Sequence, residues 1–250
     1  MTQRQVKAAV LLIGDELLSG RTQDVNLNAI AVRLLPLGIR LAEVRVVPDV
    51  EAEIVAAVNA LRARYDHVFT TGGIGPTHDD ITAAAMAVAF GRVLIVDPVA
   101  RAKLLEHYGP EKINEARLRM ARVPEGAVLI ANPVSAAPGF QIENVYVMAG
   151  VPEIMRVMLD DIAARLKTGP KFLSRTVHCV AAESLIADGL TAIAGSHTDC
   201  DIGSYPWFRQ GKYGLDLVVR GTDAAMLDGV AQELLKLVRT LDADAKLAEN

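Results

Sequence analysis

Apolar and polar positions follow two alternating rhythms along the first two thirds of the chain. VKAAVLLIG (residues 6–14) is continuously apolar and stops at glycine, the pattern of a strand buried on both faces. After a polar loop, Leu27, Ile30, Ala31, Leu34 and Leu35 recur at helical spacing, and Gly38 ends that helix. IRLAEVRVV alternates as a strand does, and Ile54, Val55, Val58 and Leu61 then mark an amphipathic helix. HVFTTGG predicts the next strand and DITAAAMAVAFG the helix after it. RVLIVDP predicts a short strand, with Asp97 as N-cap and Pro98 as the first residue of the following helix. That helix ends near Gly109 and Pro110, and a second is expected over 111–122. GAVLIANP and NVYVMAG predict two more strands. Val151 and Pro152 open a helix whose Ile154, Met158, Ile162 and Leu166 share a face.

Strands that alternate with helices build right-handed βαβ units around a mostly parallel sheet. Ligands of such sheets bind beyond the carboxyl ends of the strands. That rule places Gly14, Asp15 and Glu16, the loop TTGGIGPTHDDIT (residues 70–82) and AGVPE (149–153) along one rim. The rhythm changes after Lys171. FLSRTVHCV, SLIADGLTAIAG, CDIGSYPWF, KYGLDLVVRG and AAMLDGVAQELLKLVRTL read as strand, helix, strand, strand and helix. The two middle strands form a hairpin around RQGK, and the tail DADAKLAEN is expected to fray. The expectation is an α/β domain over 1–170 and a small α+β domain over 171–250.

Composition excludes several classes. At 51% hydrophobic and 22% charged the chain fills a core, and at 4% aromatic that core is aliphatic. A net charge of −4 argues against broad binding to nucleic acid or an acidic membrane. GKYG (211–214) matches the G-x-x-G of RNA-binding KH domains, but it links two strands and reads as a hairpin turn. Cys179 and Cys200 show no zinc spacing and fit a reducing compartment. The first residues lack a signal-peptide core, and no apolar run reaches about 18 residues. A cytoplasmic protein without a membrane span is expected.

The loop TTGGIGPTHDDIT supports two readings. In the first, Thr77 and Asp80 form a capping box, the glycines permit a strand-to-helix turn and Pro76 stiffens it. In the second, free N–H groups at the helix start attract phosphate. The loop lacks the Lys-Ser/Thr of a P-loop and the G-x-G-x-x-G of a dinucleotide fold. Asp79 and Asp80 would repel phosphate unless a divalent cation bridges the two, and oxygen-only ligands suit Mg²⁺, with Mn²⁺ or Co²⁺ as substitutes. Capping and metal binding both stay open for this pair. Asp15 and Glu16 read as a turn and a surface residue, or as part of the rim chemistry; Asn26 fits a helix cap. The five histidines form no metal-type pair, and neither serines nor cysteines have a nucleophile context. Metal-assisted attack by water is therefore favoured over nucleophilic catalysis.

IGDELLSGRTQDVN, TTGGIGPTHDDIT, VPEGAVLIANPVSAAPGF and AGVPEIM, in that order across 6–167, resemble the CinA-type branch of the molybdopterin-binding (MoaB/MogA-like) family. DIGSYPWF and LVVRG resemble the small domain that follows in that branch. The resemblance implies a three-layer α/β/α domain with a mostly parallel sheet, then a small α+β domain, in a homo-oligomer. It implies a small-molecule ligand, a nucleotide diphosphate or a pterin. The implied activity is hydrolysis of an ADP-ribose-like dinucleotide diphosphate with a divalent metal and K⁺. Molybdopterin binding or adenylyl transfer in molybdenum cofactor biosynthesis is the alternative, as is non-catalytic nucleotide binding. Related domains fused to FAD synthetases are linked to FAD hydrolysis. Full-length CinA proteins add a deamidase domain, before which this chain ends, so that activity is not carried over.

On this resemblance Asp79 and Asp80 are expected to hold the metal, and Asp15 or Glu16 to act as second ligand or general base. Ligand contacts are expected from Gly14, Asn26, Thr71, Gly72, Gly73, Gly75, Pro76, Thr77, Thr82, Asn132, Gly139, Gly150 and Pro152, with backbone amides of 73–77 on phosphate oxygens. Two departures lie on the expected rim: Ser135-Ala136 stands where the family usually has Gly-Thr, and Ala149 where it has proline.

Overall fold

The first strand organises everything around it. In the computed structural model, which describes residues 4–209 and 211–248, β1 (Val6–Ile13) is the second strand of a six-stranded sheet. The chain continues as α1 (Asp15–Leu18), α2 (Asn26–Leu34), β2 (Ile39–Val47), α3 (Glu51–Arg62), β3 (His67–Thr71) and α4 (Thr82–Phe90). Then come β4 (Leu94–Val96), α5 (Pro98–Tyr108), α6 (Glu115–Arg119), β5 (Arg122–Pro124), β6 (Val128–Ile130), β7 (Gly139–Ile142), β8 (Val145–Met148) and α7 (Pro152–Ala163). These belong to a unit that ends at Gly169; a second unit starts at Pro170.

The sheet order is β2-β1-β3-β8-β7-β6. Pairings among β2, β1, β3 and β8 are parallel, and β7 runs antiparallel to both β8 and β6. Because successive side chains of a strand point to opposite faces, β1 feeds two cores. Ala9, Leu11 and Ile13 pack with α3 and α4 on one face. Ala8, Val10 and Leu12 pack with α2 and α7 on the other. The result is the expected α/β architecture, a mostly parallel sheet between two helical layers.

Local differences from the expectation have identifiable causes. α2 stops at Leu34, and a 3-10 turn over Leu35–Leu37 leads into Gly38 at φ 68°. The helix expected over 111–122 shrinks to α6, because the Asn114 side chain accepts from Arg117 N–H and starts a new helix there. β5 and β7 are additions to the expected strands; Arg122–Pro124 and Gly139–Ile142 are short and contain or adjoin proline, without the apolar run that marks β4, β6 and β8. β4 forms as expected, but it pairs only with β5 in a separate ribbon.

The second unit runs β9 (Leu173–Cys179), α8 (Glu183–Ser196), β10 (Asp201–Arg209), β11 (Lys212–Gly221), α9 (Ala224–Arg239) and β12 (Lys246–Leu247). Its antiparallel sheet has the order β10-β11-β9-β12, a β-α-β-β-α-β arrangement. Val177, Leu215, Leu217 and Val219 pack against Leu227, Leu234 and Val238 of α9. The expected hairpin forms, but GKYG is not simply its turn: residues 212–214 already pair with 207–209. Gln210 of RQGK lies outside the described residues. The tail does not fray throughout. Ala245 is buried in the core, Lys246 and Leu247 pair with His178 and Val177, and the Asp242 carboxylate accepts from Val180 N–H at 2.7 Å. Residues 249 and 250 lie outside the described residues. Among the described residues no helix is long and apolar enough to cross a membrane.

Candidate functional site

The carboxyl ends of β1, β3, β8 and β6 lie on one edge of the sheet, and the loops that leave them meet there. Between β1 and β3 the connections diverge to opposite faces, the place where open α/β sheets form crevices. The β3 loop approaches β1 so closely that a Cβ on Gly72 (φ +105°) would lie 2.0 Å from the Ile13 carbonyl oxygen. Gly73 (φ +66°) leaves room for Thr82, whose N–H and hydroxyl close the loop onto the carbonyls of Gly73 and Gly72, each at 3.0 Å. Gly150 meets Gly72 across the gap, and the Asn26 amide nitrogen pins Gly150 O at 2.7 Å.

Asp80 makes one half of the expected capping-box pair, accepting from Thr77 N–H, but no helix starts at Thr77. Its carboxylate turns back into the loop and accepts from Gly75 N–H at 2.6 Å, Thr77 N–H at 2.7 Å and the Thr77 hydroxyl at 2.5 Å. α4 begins only at Thr82, with no side-chain cap. Two of the amides expected to hold phosphate are thus already occupied, and so are both Asp80 oxygens. Asp79 stays exposed, 3.9 Å from the ring of exposed His78. Asn26 is not a cap either: Asp24 accepts from the N–H groups of Asn26 and Leu27 and takes that role.

Among the residues expected to touch ligand, Glu16, Gly72, Gly73, Gly75, Pro76, Asp80, Asn132, Gly150 and Pro152 line one pocket of about 700 Å³. Thr71 and Thr82 are buried beneath it, Thr77 holds Asp80, and Asp15 donates its N–H to Asp49 at 3.0 Å. Gly14 lies under the Glu16 carboxylate, where a Cβ would meet it at 2.4 Å. Gly139 serves the sheet, since a Cβ there would sit 2.4 Å from Val147 O.

Three features shape this region, the first expected on the rim as AGVPE and the other two not predicted. The first is the start of α7, which lines the pocket with Val151, Pro152 and Ile154 and has no side-chain cap. Its first N–H groups and its dipole therefore face the cavity. Across the pocket, the N–H groups of Gly73 and Ile74 have no acceptor among the described residues. The second is Arg117, whose guanidinium stacks 4.2 Å over the Tyr108 ring while both line the wall. The α5–α6 segment carries no motif, so only packing reveals it. The third is Asp49, half buried behind Gly73. Burial pushes its carboxyl up, Asp15 N–H pulls it down, and the carboxylates of Glu16, Asp15 and Asp79 push it up further.

Among the described residues no three His, Cys, Asp or Glu side chains converge as a preformed metal site. With Asp80 engaged by the loop, the donors left are Asp15, Glu16, Asp49 and Asp79. They form no all-protein cage, so any divalent cation here would have to complete its shell with water and ligand phosphate, as Mg²⁺-like ions do. The departures also have a geometry. The Ser135 hydroxyl and N–H bond the Asn132 side chain, Ala136 takes φ 61°, and Ala149 N–H points at the Met158 sulfur at 3.4 Å, a bond that proline could not donate.

Comparison with known proteins agrees with the fold. Residues 9–168 match the family described as "Probable molybdopterin binding domain", and residues 171–243 match "FAD synthase, middle domain". A protein of Archaeoglobus fulgidus is 34% identical over 79% of this chain and 84% of its own length. A CinA-like protein of Gemmatimonas aurantiaca is 36% identical over 83% of this chain, which spans only 51% of that relative. The crystal structure of CinA from Thermoplasma acidophilum superimposes with a TM-score of 0.61 at 32% identity, covering 64% of this chain and 98% of that one. With the first unit matched almost from end to end, this chain belongs to the family of probable molybdopterin-binding domains, among its CinA-like members.

Proposed function

We propose that the first unit hydrolyses a nucleotide diphosphate of the ADP-ribose type in a divalent-metal-dependent reaction. The observation that carries this reading is the pairing of anion-seeking groups in one pocket. The uncapped start of α7 and the free N–H groups of Gly73 and Ile74 line the same cavity, with Arg117 on its wall. Two separate N–H groupings suit two adjacent phosphates. A cavity of about 700 Å³ accommodates a nucleotide-sized ligand.

A divalent cation bound with the substrate would neutralise charge and acidify a water. One or two of Asp15, Asp49 and Asp79 would hold it, with water and ligand phosphate completing its shell, and its charge would offset what burial and the neighbouring carboxylates make costly at Asp49. Glu16, on the pocket wall, accepts the proton of the attacking water. Attack at one phosphorus breaks the P–O–P bridge and releases AMP and ribose 5-phosphate. Asp80 keeps the loop in shape and takes no part in proton transfer.

Purified protein with Mg²⁺, Mn²⁺ or Co²⁺ is expected to release AMP from ADP-ribose, and Glu16→Gln to cut turnover by roughly 10²–10⁴-fold. The second unit's match to the FAD synthase middle domain makes FAD the next substrate to assay. No AMP from either substrate in any metal, or a Glu16→Gln variant as active as wild type, overturns the hydrolase reading. The family description supports a second reading, molybdopterin binding, at the same pocket. Calorimetry with molybdopterin and ADP-ribose separates the two.

A further inference from the structure

Among the described residues, three arginines near the pocket have no acidic partner. Arg101 on α5, Arg119 at the end of α6 and Arg122 at the start of β5 line one hollow of about 310 Å³. Among the described residues none of the three makes an ion pair or a side-chain hydrogen bond, whereas Arg45, Arg62 and Arg165 of the same unit each hold a carboxylate. Glu115 is the one acid on the hollow's wall, and it too is without an ion pair among the described residues. The hollow is therefore net positive, with repulsion among its own groups that an anion would remove.

The hollow continues into the substrate pocket. Arg119 and Arg122 also line a smaller depression of about 120 Å³ together with Gly73, Ile74, Gly75 and Asp80. Gly73, Ile74 and Gly75, with Met120, line the larger pocket as well. A single surface thus leads from the free N–H groups that would take a diphosphate, along the loop, to the three guanidinium groups. Guanidinium forks match phosphate oxygens in pairs, and a dianionic phosphate monoester is the anion that three of them suit best.

We propose that these arginines bind an additional phosphate monoester of the substrate, so that the chain prefers diphosphate esters phosphorylated on a ribose hydroxyl. This rests on the diphosphate reading of the larger pocket. The test is calorimetry on the full chain with matched pairs: 2′-phospho-ADP-ribose against ADP-ribose, and CoA against dephospho-CoA. The 2′ and 3′ phosphates distinguish where on the ligand the extra group sits. In at least one pair the phosphorylated member is expected to bind roughly tenfold tighter. The Arg119→Gln/Arg122→Gln double variant, checked for an unchanged melting temperature, is expected to lose that preference and keep wild-type affinity for the unphosphorylated member. The single variant Arg101→Gln, on a different helix, is expected to weaken the preference in the same direction. Equal affinity within both pairs, or a preference that survives the double variant, overturns the proposal and leaves the diphosphate reading intact. Failure of all four ligands to bind overturns the diphosphate reading and this one with it.

Discussion

Asp49 holds a charge that its surroundings resist, and this separates function from stability at one residue. Its carboxyl is raised chiefly by burial and then by three neighbouring carboxylates. A carboxyl raised in the folded state stabilises the fold when protonated, and that contribution is lost as pH rises through its folded pKa. Asp49→Asn keeps an oxygen for Asp15 N–H and removes the charge. It is expected to melt at a higher temperature than wild type at pH 7, to lose that advantage below the ordinary carboxyl range of about 3.9, and to lose metal-dependent turnover. Thermal melts at the two pH values and one turnover assay check this. Gly72 gives the opposite case. Gly72→Ala places a Cβ 2.0 Å from a backbone oxygen at φ +105°, so it is expected to destabilise by more than ~2 kcal/mol in denaturant titration. The glycines and the aspartates of this loop were legible because turns and charge leave local marks. Asp49 was not singled out, although it follows β2 on the same rim as Asp15 and Glu16, because no motif surrounds it and only the fold sets it behind Gly73.

Among the elements, α7 shows how a missing interaction can be useful. A 12-residue helix that starts at Val151 and Pro152 without a side-chain cap forgoes about 0.5–2 kcal/mol. Val151→Asp should recover part of this as a rise in melting temperature, while calorimetry shows weaker nucleotide-diphosphate binding, because the new carboxylate sits where phosphate would. β3 carries a pH response of its own. His67 is buried, its Nε2 lies 2.9 Å from Lys167 O after α7, and burial pushes its pKa down. An imidazole lowered in the folded state leaves stability intact above its unfolded value and loses it as pH falls through that value toward the folded one. Stability is expected to decline below about pH 6.5, and less steeply in His67→Gln, when midpoints are compared across pH 5–8. Long helices and buried strands could be read from their periods. β5, β7 and β12 could not, because they lack the apolar runs that marked the equally short β4, β6 and β8, and exist through their partners.

At the scale of the molecule, the two units have separate cores: a pair on the faces of the mixed sheet with a small cluster under α5, and one beside the antiparallel sheet. A fragment from Pro170 onward is accordingly expected to show cooperative unfolding by circular dichroism when expressed alone. The position of the rim followed from the alternation of strands and helices, since parallel strands send their loops to one edge. The wall made by α5 and α6 did not, because Arg117, Arg119 and Arg122 gain meaning only once that segment folds over the loop.

The outermost strands of the first unit carry one more consequence. β6 offers only three residues at one margin, and β2 at the other bears Glu43 and Arg45, tied to each other and to Arg64 and Tyr65. A short margin and a charged one are poor templates for adding a strand from another chain. Assembly of copies of this unit would therefore have to use its helical and loop surfaces, leaving the sheet finite and its ligand rim repeated once per subunit.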